Sequence, residues 1–370
     1  MNKAQETILE IDFSALEHNY NHLKSQLQGN TKFLAVVKAF AYGSDAEQIA
    51  LHLQNLNVDY FAVAYAAEGV TLRDAGITKP ILVLHPKSVS FKTIIDHCLE
   101  PSLYSTNILN TFHKVAKELN QENYPVHIKF NTGLNRLGFA ENDIDYVVST
   151  LISDNTLYVK SIFSHLAASE DLDEQSFTKN QILNFNSIVE KFTKSIGYKP
   201  LTHICNTSGV LNYPEAHFDM VRCGIGLYGF GNSEKENKNL IPIASLKSII
   251  SQIHLIKKGE TIGYNRTYKT SDLKKIATLP IGHADGIGRQ YGNGKGFVFI
   301  NNKKAFIIGN VCMDMIMVDI TNIDCKEGDE VIIFDKNNTA EILASASGTI
   351  SYELITSISQ RVKRYYLNEI

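Results

Sequence analysis

Polar side chains able to do chemistry stand at the C-terminal ends of a series of short apolar runs. Phe33-Leu-Ala-Val-Val ends in Lys38, with Tyr42 and Gly43 just beyond it. Val126-His-Ile-Lys-Phe130 carries Lys129 and leads into Asn131-Thr-Gly-Leu-Asn-Arg136-Leu-Gly138. Tyr158-Val-Lys-Ser-Ile-Phe163 is followed by His165, Leu201-Thr-His-Ile-Cys205 by Asn206-Thr207-Ser208, and Phe218-Asp-Met-Val-Arg222 by Cys223-Gly224. An amine that closes an apolar strand is costly to desolvate unless it has a partner or a covalent task. Alone, a strand-end lysine reads as a solvated surface residue. Beside a phosphate-type loop, Schiff-base chemistry becomes the sharper reading. Gly224-Ile-Gly-Leu-Tyr-Gly229 also matches a dinucleotide pattern, but no helix opens after it and no acidic residue closes a strand about 20 positions on. Its glycines fit better as backbone amides approaching a phosphate after a last barrel strand.

The elements that must position these residues follow from the spacing of the runs. Eight nearly continuous apolar runs begin at Phe33, Tyr60, Ile81, Pro101, Val126, Tyr158, Leu201 and Phe218, the mark of parallel strands buried on both faces. Helical spacing fills 45–55, 66–75, 107–119, 142–152 and 174–195, and a helix-like opening spans 12–27. Such β-α units fit an α/β fold of the (β/α)8 TIM-barrel type, with its chemistry at the C-terminal strand ends. Past Gly229 a polar stretch, 231–240, reads as a linker. Alternating runs at 246–255, 297–300, 305–308, 315–320 and 331–334 then predict a mostly β domain, with Asn301-Asn302 as a hairpin turn. One helix is expected near Tyr352 to Val362. The expected domains are 1–235 and 236–370, with the first ~10 residues packing with the later domain.

Composition excludes several classes. The 370 residues carry 36 Lys+Arg against 39 Asp+Glu, a near-neutral balance that argues against a nucleic-acid binder. The longest apolar run, Tyr60 to Ala67, falls well short of the ~18 residues that would span a bilayer. No apolar segment follows the opening Met-Asn-Lys-Ala-Gln-Glu-Thr, so a cytoplasmic location without a leader is expected. The five cysteines form no C-x-x-C pair and predict neither zinc nor disulfides. His127, His283 and Asp285 do not share one element and make no metal set.

Ala35-Val-Val-Lys-Ala-Phe-Ala-Tyr-Gly43 resembles the cofactor-lysine motif of alanine racemases, which use pyridoxal 5′-phosphate. The likeness continues in order through Lys129-x-Asn-Thr-Gly-x-x-Arg-x-Gly138, Phe163-Ser-His165, His203-x-x-Asn206 and Val221-Arg-x-Gly-Ile225. It extends to Gly263-Tyr264, Gly282-x-Ala-Asp-Gly286, Val311-Cys-Met-Asp314 and Ile350-x-Tyr352. The resemblance implies a barrel plus β domain working as a head-to-tail homodimer with shared sites and a small amino-acid substrate, supplying D-alanine for peptidoglycan.

The resemblance also implies roles. Lys38 would carry the cofactor and act as one base, with Tyr264 of the partner subunit as the opposite base. Arg222, held by His203, would donate to the pyridine nitrogen; His165 would pack on the ring, and Arg136 would contact the phenolic oxygen. Tyr42, Thr207, Tyr352 and the amides of Gly224 and Ile225 would hold the phosphate. Met313 of the partner subunit would help Arg136 seat the substrate carboxylate. Lys129, often carbamylated in the family, would pair with Arg136, while Asn206, Cys312 and Asp314 would support the site. Two bases flanking an acidified Cα–H are what racemisation requires. Phe40, Ser44-Asp45, His283, Asn310 and Thr207 depart from the commonest family residues, which leaves serine or another small amino acid open as substrate. A barrel decarboxylase would carry an acidic residue in place of Arg222, and a cofactor-binding protein without activity would lack the second domain.

Overall fold

A computed structural model describes residues 4–368. The opening Met1-Asn2-Lys3, part of the stretch read as lacking a leader, lies outside the described residues, as does Glu369-Ile370. The chain divides into two compact units, one of Glu17–Ala41 with Ala46–Leu240, the other of 4–16, Tyr42–Asp45 and 241–368.

The first unit is a nearly closed (β/α)8 barrel. Its parallel strands run in the order Leu201–His203, Leu157–Phe163, Tyr124–Lys129, Glu100–Leu103, Ile81–Val83, Tyr60–Val63, Lys32–Val36 and Met220–Cys223. The two ends approach where Asp219 N–H donates to Thr202 O and Arg222 N–H to Cys205 O. Apolar side chains fill both faces, as in Phe33 through Val36, all buried. Helices Ala46–Asn55, Ala66–Asp74, Thr106–Glu118, Ile144–Leu151 and Gln175–Ile196 lie in the segments expected from spacing. The short helix Phe91–Asp96 was not expected; six residues are too few for the period to show.

The polar stretch after Gly229 belongs to this unit as far as Leu240 and is not a loose tether. Ser233 caps the helical turn Glu234–Asn237. Within it, buried Glu236 accepts from Ser208 Oγ at 2.9 Å, Asn212 Nδ2 at 2.7 Å and Asn232 N–H at 2.8 Å. A carboxylate with three donors can be buried at modest cost.

The second unit is built on a nine-stranded, mostly antiparallel sheet: Gln252–Ile256, Lys274–Leu279, Ile316–Asp319, Lys303–Ile308, Phe297–Ile300, Glu330–Phe334, Ala244–Ile249, Ile8–Asp12 and Lys363–Leu367. Asn301 and Asn302, at φ 49° and 61°, form the tight turn expected between the Phe297 and Lys303 strands. Three differences from the sequence reading stand out. The 246–255 run is two strands, broken after Ile250, whose N–H still bonds Asp329 O, where Ser251 N–H turns to Thr278 O and the chain changes its pairing partner. Ile8–Asp12 is a strand between Ala244–Ile249 and Lys363–Leu367, its pairing invisible without the fold. The last helix, Ser351–Ser357, ends at extended Ile358 (ψ 113°), well short of Val362.

Candidate active site

Lys38 follows directly on the buried Lys32–Val36 strand and Val37. Beyond it Ala39, Phe40, Ala41 and Tyr42 all take left-handed conformations, with φ between 49° and 54°. Side chains in that region cost roughly 1–2 kcal/mol each, so the turn persists only if other contacts hold it. Ala41 N–H donates to Val37 O at 3.0 Å, and Ala39 N–H donates to Glu68 Oε1 at 2.6 Å. Burial lowers the Lys38 amine from its ordinary value, and the Arg136 guanidinium lowers it further, with Glu68 opposing.

Arg222 is a buried charge of the barrel held by several hydrogen bonds. It is 4% exposed and donates through Nη1 to His203 Nδ1 at 2.7 Å. Through Nη2 it bonds Ser164 O at 2.8 Å, His165 Nδ1 at 2.9 Å and Ile204 O at 3.1 Å. Arginine has only donors, so both imidazoles must present a bare Nδ1 to it. Burial and the Arg222 charge hold His165 and His203 well below the usual imidazole range, so both are neutral acceptors. Burial lowers Arg222 itself to about 10, which leaves it cationic at neutral pH. Phe163 stacks on His203 with ring centres 4.7 Å apart and lies beneath the guanidinium at 5.3 Å.

Lys129 ends its strand and is buried. Burial, with Arg222, Arg136 and Lys38 nearby, lowers its amine to about 8. Arg136 sits on a loop tied shut by Asn131 N–H to Phe139 O and Phe139 N–H to Lys129 O. Within the loop Asn131 Oδ1 accepts from the N–H groups of Gly133 and Asn135. Gly138 is required there: at φ 132°, a side chain would meet the Phe130–Asn131 backbone at 2.6 Å.

Asn206, Thr207, Gly224 and Ile225 lie at neighbouring strand ends. Asn206 Oδ1 caps the Thr207–Asn212 helix by accepting from Gly209 N–H at 2.8 Å, and it also accepts from Ser169 Oγ. Thr207 Oγ1 accepts from Gly226 N–H at 3.3 Å, which leaves its own hydroxyl hydrogen available to donate. A side chain at 226 would strike Thr207 Cγ2 at 2.6 Å, so glycine permits that close approach. Gly224 turns the chain into the Ile225–Tyr228 turn, whose first amides are the candidates for phosphate.

The barrel therefore gathers Lys38, Lys129, Arg136 and Arg222 close enough to perturb one another, with the Glu68 carboxylate opposing them at Lys38. Such an excess of positive charge suits an anionic ligand, and the mix of an amine, a guanidinium and glycine-lined amides fits pyridoxal phosphate.

The remaining candidates belong to the other unit. Tyr42 and Tyr352 bring their rings to 6.1 Å, and Arg364 Nη2 donates to Gly43 O at 2.8 Å. Tyr264 is 71% exposed on a turn entered through Gly263 at φ 75°, with Asn310 Nδ2 donating to Tyr264 O at 3.2 Å. Met313 is 59% exposed. Its segment is held by His283 N–H to Cys312 O and Ala284 N–H to Met313 O, both 3.0 Å. Arg361 bridges Asp285 and Asp314 at 2.7 Å each, so Asp314 is a tether for this loop. Burial pushes the Cys312 thiol up, against a nucleophilic role.

Sequence reading did not single out Glu68 or Gln181. Gln181 is buried on the Gln175–Ile196 helix, accepts from Ala167 N–H at 2.9 Å and donates to His165 O at 3.2 Å. Neither stands in a motif, and only the folded barrel brings them to the strand ends.

Family models described as the N-terminal and C-terminal domains of alanine racemase match residues 11–231 and 243–366. An alanine racemase of Thermodesulfovibrio yellowstonii is 37% identical over 368 residues, spanning 97% of each chain. The structure of an alanine racemase from Clostridium difficile 630 superimposes with a TM-score of 0.91 at 34% identity, over 99% of this chain and 97% of that one. That of alanine racemase from Bartonella henselae, with covalently bound pyridoxal phosphate, does so with a TM-score of 0.88 at 28% identity, over 98% of this chain and 100% of that one.

Proposed function

This chain belongs to the alanine racemase family of pyridoxal-phosphate-dependent enzymes, and on that footing we propose that it interconverts L-alanine and D-alanine with two bases. The observation that carries the reading is the buried Arg222 clamped by two neutral imidazoles, a guanidinium that would donate to the cofactor's ring nitrogen. Bound beside it, pyridoxal phosphate supplies a conjugated ring that acidifies the Cα–H of an amino acid joined to it.

The residues then divide the work. Lys38 would hold the cofactor, and its amine would take or return the α-proton on one face; its lowered pKa suits an amine that must be unprotonated to act. Tyr264 of the partner subunit does the same on the opposite face, and its exposure in the single chain accords with a role outside its own barrel. Arg222 keeps its own proton and would donate a hydrogen bond to the ring nitrogen without protonating it, which would disfavour transamination. His165 would pack on the ring. Arg136 would take the phenolic oxygen and, with Met313 of the partner subunit, the substrate carboxylate. Tyr42, Tyr352, Thr207 and the amides of Gly224 and Ile225 would hold the phosphate. Lys129, with its amine near 8, adds carbon dioxide through nitrogen, loses a proton and becomes an anion that pairs with Arg136.

The functional unit in this reading is a homodimer in which the β domain of each chain completes the barrel of the other. Its product is D-alanine for peptidoglycan, made in the cytoplasm; among the described residues no helix is long and apolar enough to cross a membrane. The test is incubation of purified protein and cofactor with each of several L-amino acids, followed by chiral chromatography. D-alanine should dominate the products. Its absence from protein showing a borohydride-sensitive absorbance near ~420 nm would overturn the proposal.

A further inference from the structure

Four hydrogen bonds link Arg222 to a carboxylate at the other end of the barrel interior. Arg222 Nη1 lies 2.7 Å from His203 Nδ1, and His203 Nε2 lies 2.9 Å from Ser161 Oγ. Ser161 Oγ is 2.5 Å from His127 Nδ1, and His127 Nε2 is 2.7 Å from Glu100 Oε2. The five residues come from adjacent strands in barrel order, Glu100 opening its strand and His203 closing its own. His127, Ser161 and His203 are fully enclosed, and Glu100 and Arg222 nearly so.

With His127 neutral, the direction of every bond follows from donor and acceptor chemistry. Arg222 can only donate, so His203 Nδ1 accepts and its proton sits on Nε2. That proton goes to Ser161 Oγ, whose own hydroxyl hydrogen then goes to His127 Nδ1. His127 in turn donates from Nε2 to Glu100. Every N–H and O–H dipole therefore points the same way, from cation to anion. Such alignment strengthens each bond in a low-dielectric interior. It also answers an electrostatic problem: no carboxylate is among the hydrogen-bond partners of Arg222 among the described residues, and a buried charge without compensation is costly. Around the far end, the Tyr60 ring meets His127 edge-on at 6.1 Å, and burial with the Glu100 charge pushes its phenol up, so it stays neutral.

We propose that Ser161, His127 and Glu100 are positioning residues, forming a relay that transmits the Glu100 charge to His203 and so fixes the orientation and charge of Arg222. The inference rests on the reading of Arg222 as partner of the cofactor ring nitrogen only for its effect on turnover; the relay itself is a property of the chain alone. Ser161 is the joint, because its hydroxyl is the one group that accepts from one imidazole while donating to the other.

The test uses the full chain with 15N-labelled histidine, free of cofactor, read by long-range 1H–15N correlations of the imidazole rings. Both His127 and His203 should show the Nε2–H tautomer. Glu100→Gln keeps an acceptor for His127 but removes the charge, and should shift the His203 nitrogens across two intervening side chains. In a Ser161→Ala background the same change should leave His203 unmoved. A Glu100→Gln shift that is absent, or equal with and without Ser161, overturns the relay. Should Ser161→Ala not fold, Ser161→Cys, a weaker donor of similar size, replaces it. In cofactor-loaded protein, Ser161→Ala should lower kcat about tenfold with KM nearly unchanged, as loss of one buried hydrogen bond to the relay implies. Unchanged kcat beside an intact NMR effect limits the relay to structure and overturns its catalytic part. Failure to take up pyridoxal phosphate at all would sink the proposed function and leave the NMR result standing.

Discussion

Glu68 Oε1 accepts from Ala39 N–H at 2.6 Å, while its other oxygen accepts from Ala64 and Tyr65 N–H at 2.6 and 3.1 Å. One carboxylate thus pins the residue after Lys38 to the loop that opens the helix Ala66–Asp74. It holds the first link of a left-handed turn that alanine and phenylalanine would not choose. Glu68→Ala should cost about 1–3 kcal/mol in urea unfolding, the range for orphaned hydrogen-bonding groups. Racemisation should fall by about 10- to 100-fold as Lys38 drifts. Unaltered kcat in this variant would remove Glu68 from any part in placing the amine.

Arg222→Glu tests control of the reaction's outcome. The new carboxylate would face His203 and His165, raise both imidazoles and favour a protonated ring nitrogen. Racemisation should drop and transamination should rise, measured as keto acid formed from alanine. No rise in keto acid would count against the role given to the guanidinium.

The proposed sharing of sites makes a complementation prediction. Lys38→Ala and Tyr264→Ala proteins, each inactive, should regain part of the activity when mixed, because hybrid dimers hold one intact pair of bases. No recovery after subunit exchange has been verified would leave Tyr264 without its assigned partner. Solvent-deuterium uptake should also separate the two variants: each should lose exchange with the enantiomer whose α-proton its missing base handles.

Lys129 gives a pH signature. Its amine is near 8 in the folded barrel against an ordinary 10.5, so between those values the unfolded chain keeps a proton that the folded one has released. Stability from this group therefore rises with pH through that window. Wild type should gain on Lys129→Met between pH 8 and 10.5 in denaturant unfolding of the cofactor-free protein. Addition of 13C-bicarbonate should produce a carbamate carbon signal that the variant lacks; an identical spectrum in both would exclude modification at this lysine.

The sequence determined the barrel, its strand ends and the identity of the groups there. Continuous apolar runs at regular intervals admit few other arrangements, and Lys38, Lys129, His203 and Arg222 each close or nearly close such a run. Side-chain type also fixed what these groups can do, since a guanidinium only donates and a strand-end amine must be desolvated. Tertiary structure decided the rest. The strand Ile8–Asp12 exists because partners from Ala244–Ile249 and Lys363–Leu367 flank it, a pairing of residues far apart in the chain. Glu68, Gln181, Glu100 and Ser161 carry no local signal, because their importance lies in which backbone or imidazole the closed barrel puts within hydrogen-bonding distance. Charge state belongs to the same class: burial among other cations, and not residue type, lowers Lys129 and keeps His165 and His203 neutral.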